Sequence, residues 1–135
     1  MAKTIGIVTS GGDAPGMNAA IRAVTRIGHS KGFNVVGFER GWDGILANNF
    51  KKLTPRSVGG IVQLGGTILR TFRCPAFEKP ECVKLAAKNL QQNNVDALVV
   101  IGGDGSFRGA LDLSKVSGVQ VVGIPATIDN DIYGT

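Results

Sequence analysis

The chain has little from which a metal centre or a covalent scaffold could be built. Its 135 residues include two cysteines, Cys74 and Cys82, and one histidine, His29. That set supplies neither a zinc site nor a disulfide framework, and it reads as free thiols in a reducing compartment. No apolar run approaches the ~18 residues that span a bilayer, and no basic-then-apolar leader opens the chain. The expectation is a soluble cytoplasmic protein with no membrane partner. Aromatic residues are scarce at 6%, with one Trp and one Tyr. Lys and Arg outnumber Asp and Glu by 15 to 10, a net charge of +5, but they are scattered. A dispersed positive excess favours anionic partners without naming them. A nucleic-acid surface, which needs clustered basic residues, is not expected.

Glycine is what the chain has in abundance, with 20 residues. There is no collagen-like period and no low-complexity block, so the glycines read as tight turns in an ordinary globular domain. "TIGIVTS" (4–10) is a β-branched run ending in a glycine turn, the pattern of a buried strand. Residues 15–32 follow as a helix, with Pro15 at its start, Gly32 at its stop and Met17, Ala20, Ile21, Val24 and Ile27 as the apolar stripe. "FNVVGFE" (33–39) is a second strand. Residues 40–78 read as loops and short elements, with a helical patch near "WDGILANN". Residues 80–94 form a helix with Val83, Ala86, Ala87 and Leu90 inward, and Glu81 near the positive end of its dipole. A strand at 96–102, a helix at 105–115 and a strand at 119–125 complete the pattern. Alternating helices and apolar strands predict an α/β fold, an open and mostly parallel sheet covered by helices on both faces. The polar tail after Pro125 reads as a loop rim, so the chain is expected to be part of a longer one.

Two stretches carry the same device. In "IVTSGGDAPGMNAA" (7–20) and "VVIGGDGSFRGAL" (99–111), Gly11, Gly12, Asp13 and Ala19 recur 91 positions later as Gly102, Gly103, Asp104 and Ala110. Each turn follows a strand and opens a helix. Two such turns from one parallel sheet lie at its carboxyl edge, where ligands bind in open α/β sheets. Paired glycines admit an oxyanion to the backbone N–H groups, and the helix N-terminus adds about half a positive charge. A carboxylate there has two readings. Asp104 is a magnesium ligand facing phosphate oxygens across the cation, or it is an N-cap bonded to the first helical N–H groups. The same cap reading applies to Asp13. Neither turn has a Walker lysine or the dinucleotide pattern G-x-G-x-x-G. "TIDND" (127–131) adds two carboxylates at i and i+2, which point the same way in extended chain. Neighbouring like charges suit one of them to act as general base toward a hydroxyl; the other reading is a solvated turn.

"TSGGDAPGMNAAIRA", "GGTILRTFR", "VVIGGDGSFRGA" and "GIPATIDNDIYGT" occur in this order and resemble the phosphofructokinase family over the whole chain. The resemblance implies transfer of the ATP γ-phosphoryl group to the 1-hydroxyl of fructose 6-phosphate, a step of glycolysis, with ADP as product and Mg²⁺ as cofactor. It implies that Asp104 holds the magnesium ion and that Gly12, Gly103, Gly105 and Ser106 form nucleotide-binding loops. Arg73 and Cys74 match a further ATP-contacting pair. Asp129 matches the catalytic base, with Thr127, Ile128 and Asp131 at the substrate. Arg22 and Arg26, four apart on the first helix, match an allosteric nucleotide site; the alternative is a solvated helix face. The family also implies a homotetramer for the full-length protein. On this reading residues 1–135 are the N-terminal nucleotide-binding domain of a longer two-domain kinase, inactive alone.

The chain departs from the family at three places. Glu78 replaces a nucleotide-facing arginine of several ATP-dependent members. Pro55, beside Arg56, stands where an effector-site arginine is expected. Ala126 is neither the glycine of ATP users nor the lysine of pyrophosphate users. Gly105 after the magnesium aspartate leaves room for an α-phosphate, whereas pyrophosphate users resemble GGDD, so ATP is the expected donor. The competing readings are a pyrophosphate-dependent phosphofructokinase and a non-catalytic nucleotide-binding or regulatory module. NAD kinases and lipid kinases share a GGDG turn, but "GGDAPGMNA" and "TIDND" in this order set them aside.

Overall fold

A computed structural model of the chain describes residues 3–12, 14–71 and 74–127. The β-branched runs form the middle of the molecule: β1 (Thr4–Thr9), β2 (Asn34–Phe38), β4 (Ala97–Gly102) and β5 (Gln120–Pro125). Between them come α1 (Met17–Ser30), α2 (Trp42–Leu46), β3 (Phe50–Leu53), α3 (Pro80–Gln92) and α4 (Asp104–Val116), with short 3₁₀ turns at Ile61–Gln63 and Pro75–Glu78. The sheet order is β3-β2-β1-β4-β5. β2, β1, β4 and β5 are parallel, and β3 pairs antiparallel with β2. The predicted α/β class and parallel sheet are what the chain forms.

Alternation along the strands divides the core between the two faces of the sheet. Val8, Leu98 and Val100 pack with α2, α3 and α4, around Phe38, Ile45, Leu90 and Leu113. Ile7 and Ile101 pack with α1 and the 58–69 segment, around Met17, Ile21, Leu53 and Leu69. All four residues of the predicted α3 stripe are buried, and Glu81 lies in that helix's first turn.

Three expectations need correction. On α1, Met17 and Ile21 are buried and Ala20 and Val24 pack against the core as expected, but Ile27 is 57% exposed, while Thr25 and Gly28 are buried. Gly28 lets the last turns of the helix lie close on β2: a Cβ there would stand 3.0 Å from Val35 Cγ2. Hydrophobicity marked Ile27, but the absence of a side chain chose the contact. The second correction is β3, which was expected as loop. Phe50, Lys51 and Lys52 are exposed and only Leu53 is buried, so no two-residue apolar alternation marks it. Its lysines suit an edge strand. Third, helices do not cover the whole sheet. Val122 on β5 is 57% exposed, although Phe107 of α4 packs within 3.0 Å of where a Gly123 Cβ would stand.

Candidate nucleotide site

The chain's connections leave β1 in opposite directions: β2 lies on one side and β4 on the other. The carboxyl ends of β1 and β4 are therefore the switch point of the sheet, where a crevice opens between the outgoing turns. The two predicted glycine turns are the turns that meet there. Thr9 registers with Ile101, and the Ser10 N–H donates to the Ile101 carbonyl at 3.0 Å. So close a juncture demands glycine. A Cβ on Gly102 would stand 2.6 Å from the Ser10 carbonyl oxygen and 2.6 Å from Ser106 Oγ. Gly11 holds φ +83°, a left-handed conformation that glycine adopts without strain. Ser106 is buried, and its hydroxyl fills the gap between the turns.

Asp104 is the first residue of α4, so the predicted cap is overturned. Gly103 holds the cap position in extended backbone and, as glycine, brings no capping side chain. The Asp104 carboxylate turns instead to Arg108, one helical turn on, with Oδ2 2.9 Å from Nη2. The first-turn N–H groups have no partners within the helix, and a helix N-terminus of this kind suits an anion. Asp13 lies outside the described residues, and its cap reading with it.

The cleft bounded by these turns encloses about 680 Å³. Gly12, Gly103, Asp104, Gly105 and Ser106 line it, together with Cys74 and with Ala126 and Thr127, which follow β5. Thus every described residue expected at the nucleotide or substrate lines one cavity. Arg73, Ile128, Asp129 and Asp131 lie outside the described residues. Arg22, half-buried, and Arg26, exposed, lie on α1 and do not line the cleft. Neither makes an ion pair with a described residue; the pairs among those residues are Lys51–Glu39 and Arg108–Asp104.

The lining also contains residues that sequence reasoning missed. Trp42 stacks on Phe77, with ring centroids 4.4 Å apart and planes 4° from parallel, and both line the cleft. Gly109 lets α4 approach them: a Cβ there would stand 3.1 Å from Phe77 and 3.3 Å from Trp42 Nε1. A glycine within a helical pattern is a legible signal of close approach. Trp42 and Phe77 have no local signal, since separate elements, α2 and the 75–78 turn, deliver them. Arg108 and Asp112 also line the cleft, and the spacing of Asp104 and Arg108 makes that pair readable. Glu78, the predicted departure, faces the same cavity.

The "GGTILRT" segment is pinned above this site by two buried polar residues. Asn18 Oδ1 accepts from the Ile68 N–H at 2.7 Å, and its Nδ2 donates to the Leu64 carbonyl at 3.2 Å. The Thr9 hydroxyl donates to the Arg70 carbonyl at 3.0 Å. Asn18, from the first motif, thereby holds the second motif in place.

An open α/β sheet with paired glycine turns at its switch point defines a phosphate-binding class of fold. Within that class, the phosphofructokinase family model matches residues 4–135, and the chain belongs to that family. An ATP-dependent 6-phosphofructokinase of Sulfurihydrogenibium sp. (strain YO3AOP1) is 53% identical over 133 residues, which are 98% of this chain and 41% of that protein. One from Thermoanaerobacter pseudethanolicus is 58% identical over 130 residues, 96% of this chain and 40% of that one. The structure of Pichia pastoris phosphofructokinase in the T-state superposes with a TM-score of 0.92 at 40% identity, covering 100% of this chain and 16% of that one. The chain thus spans about two-fifths of the length of the curated relatives it matches.

Proposed function

We propose that this chain is the nucleotide-binding part of an ATP-dependent 6-phosphofructokinase, which transfers the γ-phosphoryl group of ATP to the 1-hydroxyl of fructose 6-phosphate. The observation that carries the reading is the meeting of both glycine turns and Asp104 in one cleft at the switch point. The names of the relatives support ATP as the donor. So does Gly105, where a Cβ would have nothing within 4 Å, which leaves the space an α-phosphate needs.

The residues fit a magnesium ion of one kind only. Among the described residues there is no group of three or more His, Cys, Asp and Glu that could hold a cation by themselves. Asp104 offers a single hard carboxylate, 43% exposed, which matches an ion that takes one or two carboxylates and completes its shell with phosphate oxygens and water. Bound there, the ion would neutralise charge on the phosphates. The chain's own part is positioning. The N–H groups at the start of α4 and the glycines hold phosphate oxygens, and the Trp42–Phe77 wall offers an apolar face to the rest of the nucleotide. Ser106 keeps the two turns at fixed spacing. Arg73 and Cys74 contact the nucleotide, and Thr127, Ile128 and Asp131 hold the acceptor end. Asp129 takes the proton from the attacking hydroxyl. Phosphoryl transfer relies on such positioning and charge stabilisation more than on covalent chemistry. Arg22 and Arg26 form an effector site for a nucleotide, in a cytoplasmic homotetramer of the longer protein.

Calorimetric titration with ATP, with and without Mg²⁺, tests this on the wild type and on Asp104→Ala. Magnesium-dependent binding that disappears in the variant is the expected result. Absence of binding by a chain that far-UV circular dichroism shows to be folded would refute the reading. So would binding indifferent to Asp104.

A further inference from the structure

The described residues that line the cleft carry three carboxylates, Glu78, Asp104 and Asp112, and one cation, Arg108. This is an unfavourable lining for a polyphosphate. Arg108 spends its charge on Asp104, the residue nearest the start of α4, at 2.9 Å. The pair has little value as a helix staple: its side chains are 80% and 43% exposed, and exposed pairs at this spacing contribute little. An arginine in the second turn also gains nothing from the helix dipole, which favours cations at the opposite end. What the pair does is cancel one of the carboxylates that a phosphate chain would meet.

We propose that Arg108 is a stand-in counterion for Asp104 that sets how strongly nucleotide binding depends on the divalent cation. Without the cation, the guanidinium neutralises Asp104 and reduces its repulsion of the phosphates. A cation held by Asp104 would take over that role, and the exposed position of the Arg108 guanidinium would let it leave at little cost. Arg108 is a positioning and specificity residue here, not a catalytic one. The inference rests on the nucleotide-binding reading above.

Trp42, the chain's one tryptophan, lines the same cleft, so its fluorescence reports nucleotide entry. Emission is followed during titration with ATP in EDTA and with ATP in excess Mg²⁺, for the wild type, Arg108→Gln and Arg108→Lys. The quantity read is the ratio of the metal-free to the magnesium-loaded dissociation constant. Removing one positive charge near the phosphates at an exposed site should widen that ratio about three- to tenfold in Arg108→Gln. Arg108→Lys should restore most of it. Far-UV spectra and melting temperatures should be the same for all three chains, which separates a charge effect from a structural one. A ratio unchanged in Arg108→Gln, with wild-type binding intact, overturns this inference and leaves the proposed function standing. A folded wild type with no response to either form of ATP, and no heat by calorimetry, overturns both.

Discussion

Gly102→Ala is the sharpest probe of how the two turns are held together. In most strands the change would be stabilising by about 0.5–1 kcal/mol, because alanine loses less backbone freedom on folding. Here the new Cβ would meet the Ser10 carbonyl oxygen and Ser106 Oγ, each at 2.6 Å, and Ser106 Cβ at 2.9 Å. None of these can move away cheaply. The Ser10 carbonyl is backbone whose own N–H is bonded to Ile101, and Ser106 is only 4% exposed. Relief requires β1, β4 and the start of α4 to separate by about half an ångström, and overpacking of this sort costs about 1–3 kcal/mol. Set against the gain, the net destabilisation lies between about 0 and 2.5 kcal/mol, and at the middle of both ranges it is about 1 kcal/mol. For a chain of this size that lowers the melting temperature by up to roughly 10 °C. Urea unfolding followed by far-UV circular dichroism measures it, with an unchanged m-value as the check on two-state behaviour. A Gly102→Ala chain more stable than the wild type would refute the claim that close approach demands this glycine.

Gly105→Ala should have the opposite sign in stability. Its position is helical and a Cβ there meets nothing within 4 Å, so the chain gains up to about 1 kcal/mol of helix propensity. The same methyl enters the cleft and should weaken ATP binding about five- to hundredfold, the range of a 1–3 kcal/mol steric penalty. Calorimetry and thermal melts on one sample check both; unimpaired binding would remove Gly105 from the phosphate site. Asn18→Ala should leave the Ile68 N–H without its acceptor and cost about 1–3 kcal/mol. Amide hydrogen exchange reads this directly, and an unchanged rate at Ile68 would show that the loop does not depend on Asn18.

Strands, helices and both glycine turns could be read from the sequence because each rests on local physics. β-branched runs, helical spacing in α3 and glycine punctuation act over a few residues and need no partner to be recognised. Their alternation implied the parallel sheet, and parallel topology implied that both turns share its carboxyl edge. The order of the four motifs named the family. Elsewhere local signals were missing or misleading. Edge strand β3 presents charge outward and is defined by its pairing with β2, which no window of sequence contains. The contact at the end of α1 followed the smallness of Gly28 rather than the hydrophobicity of Ile27. The carboxylate of Asp104 fitted a cap or a metal ligand equally well in sequence; its bond to Arg108 and the placement of Gly103 at the cap decided against the first. Trp42 and Phe77 lie 35 positions apart and become one wall only when α2 and the 75–78 turn pack on α4. Sequence determined the elements and the chemistry of the two turns, because propensity and spacing are short-range. Tertiary structure alone decided which distant residues share the cleft with those turns, because packing joins residues that the chain keeps apart.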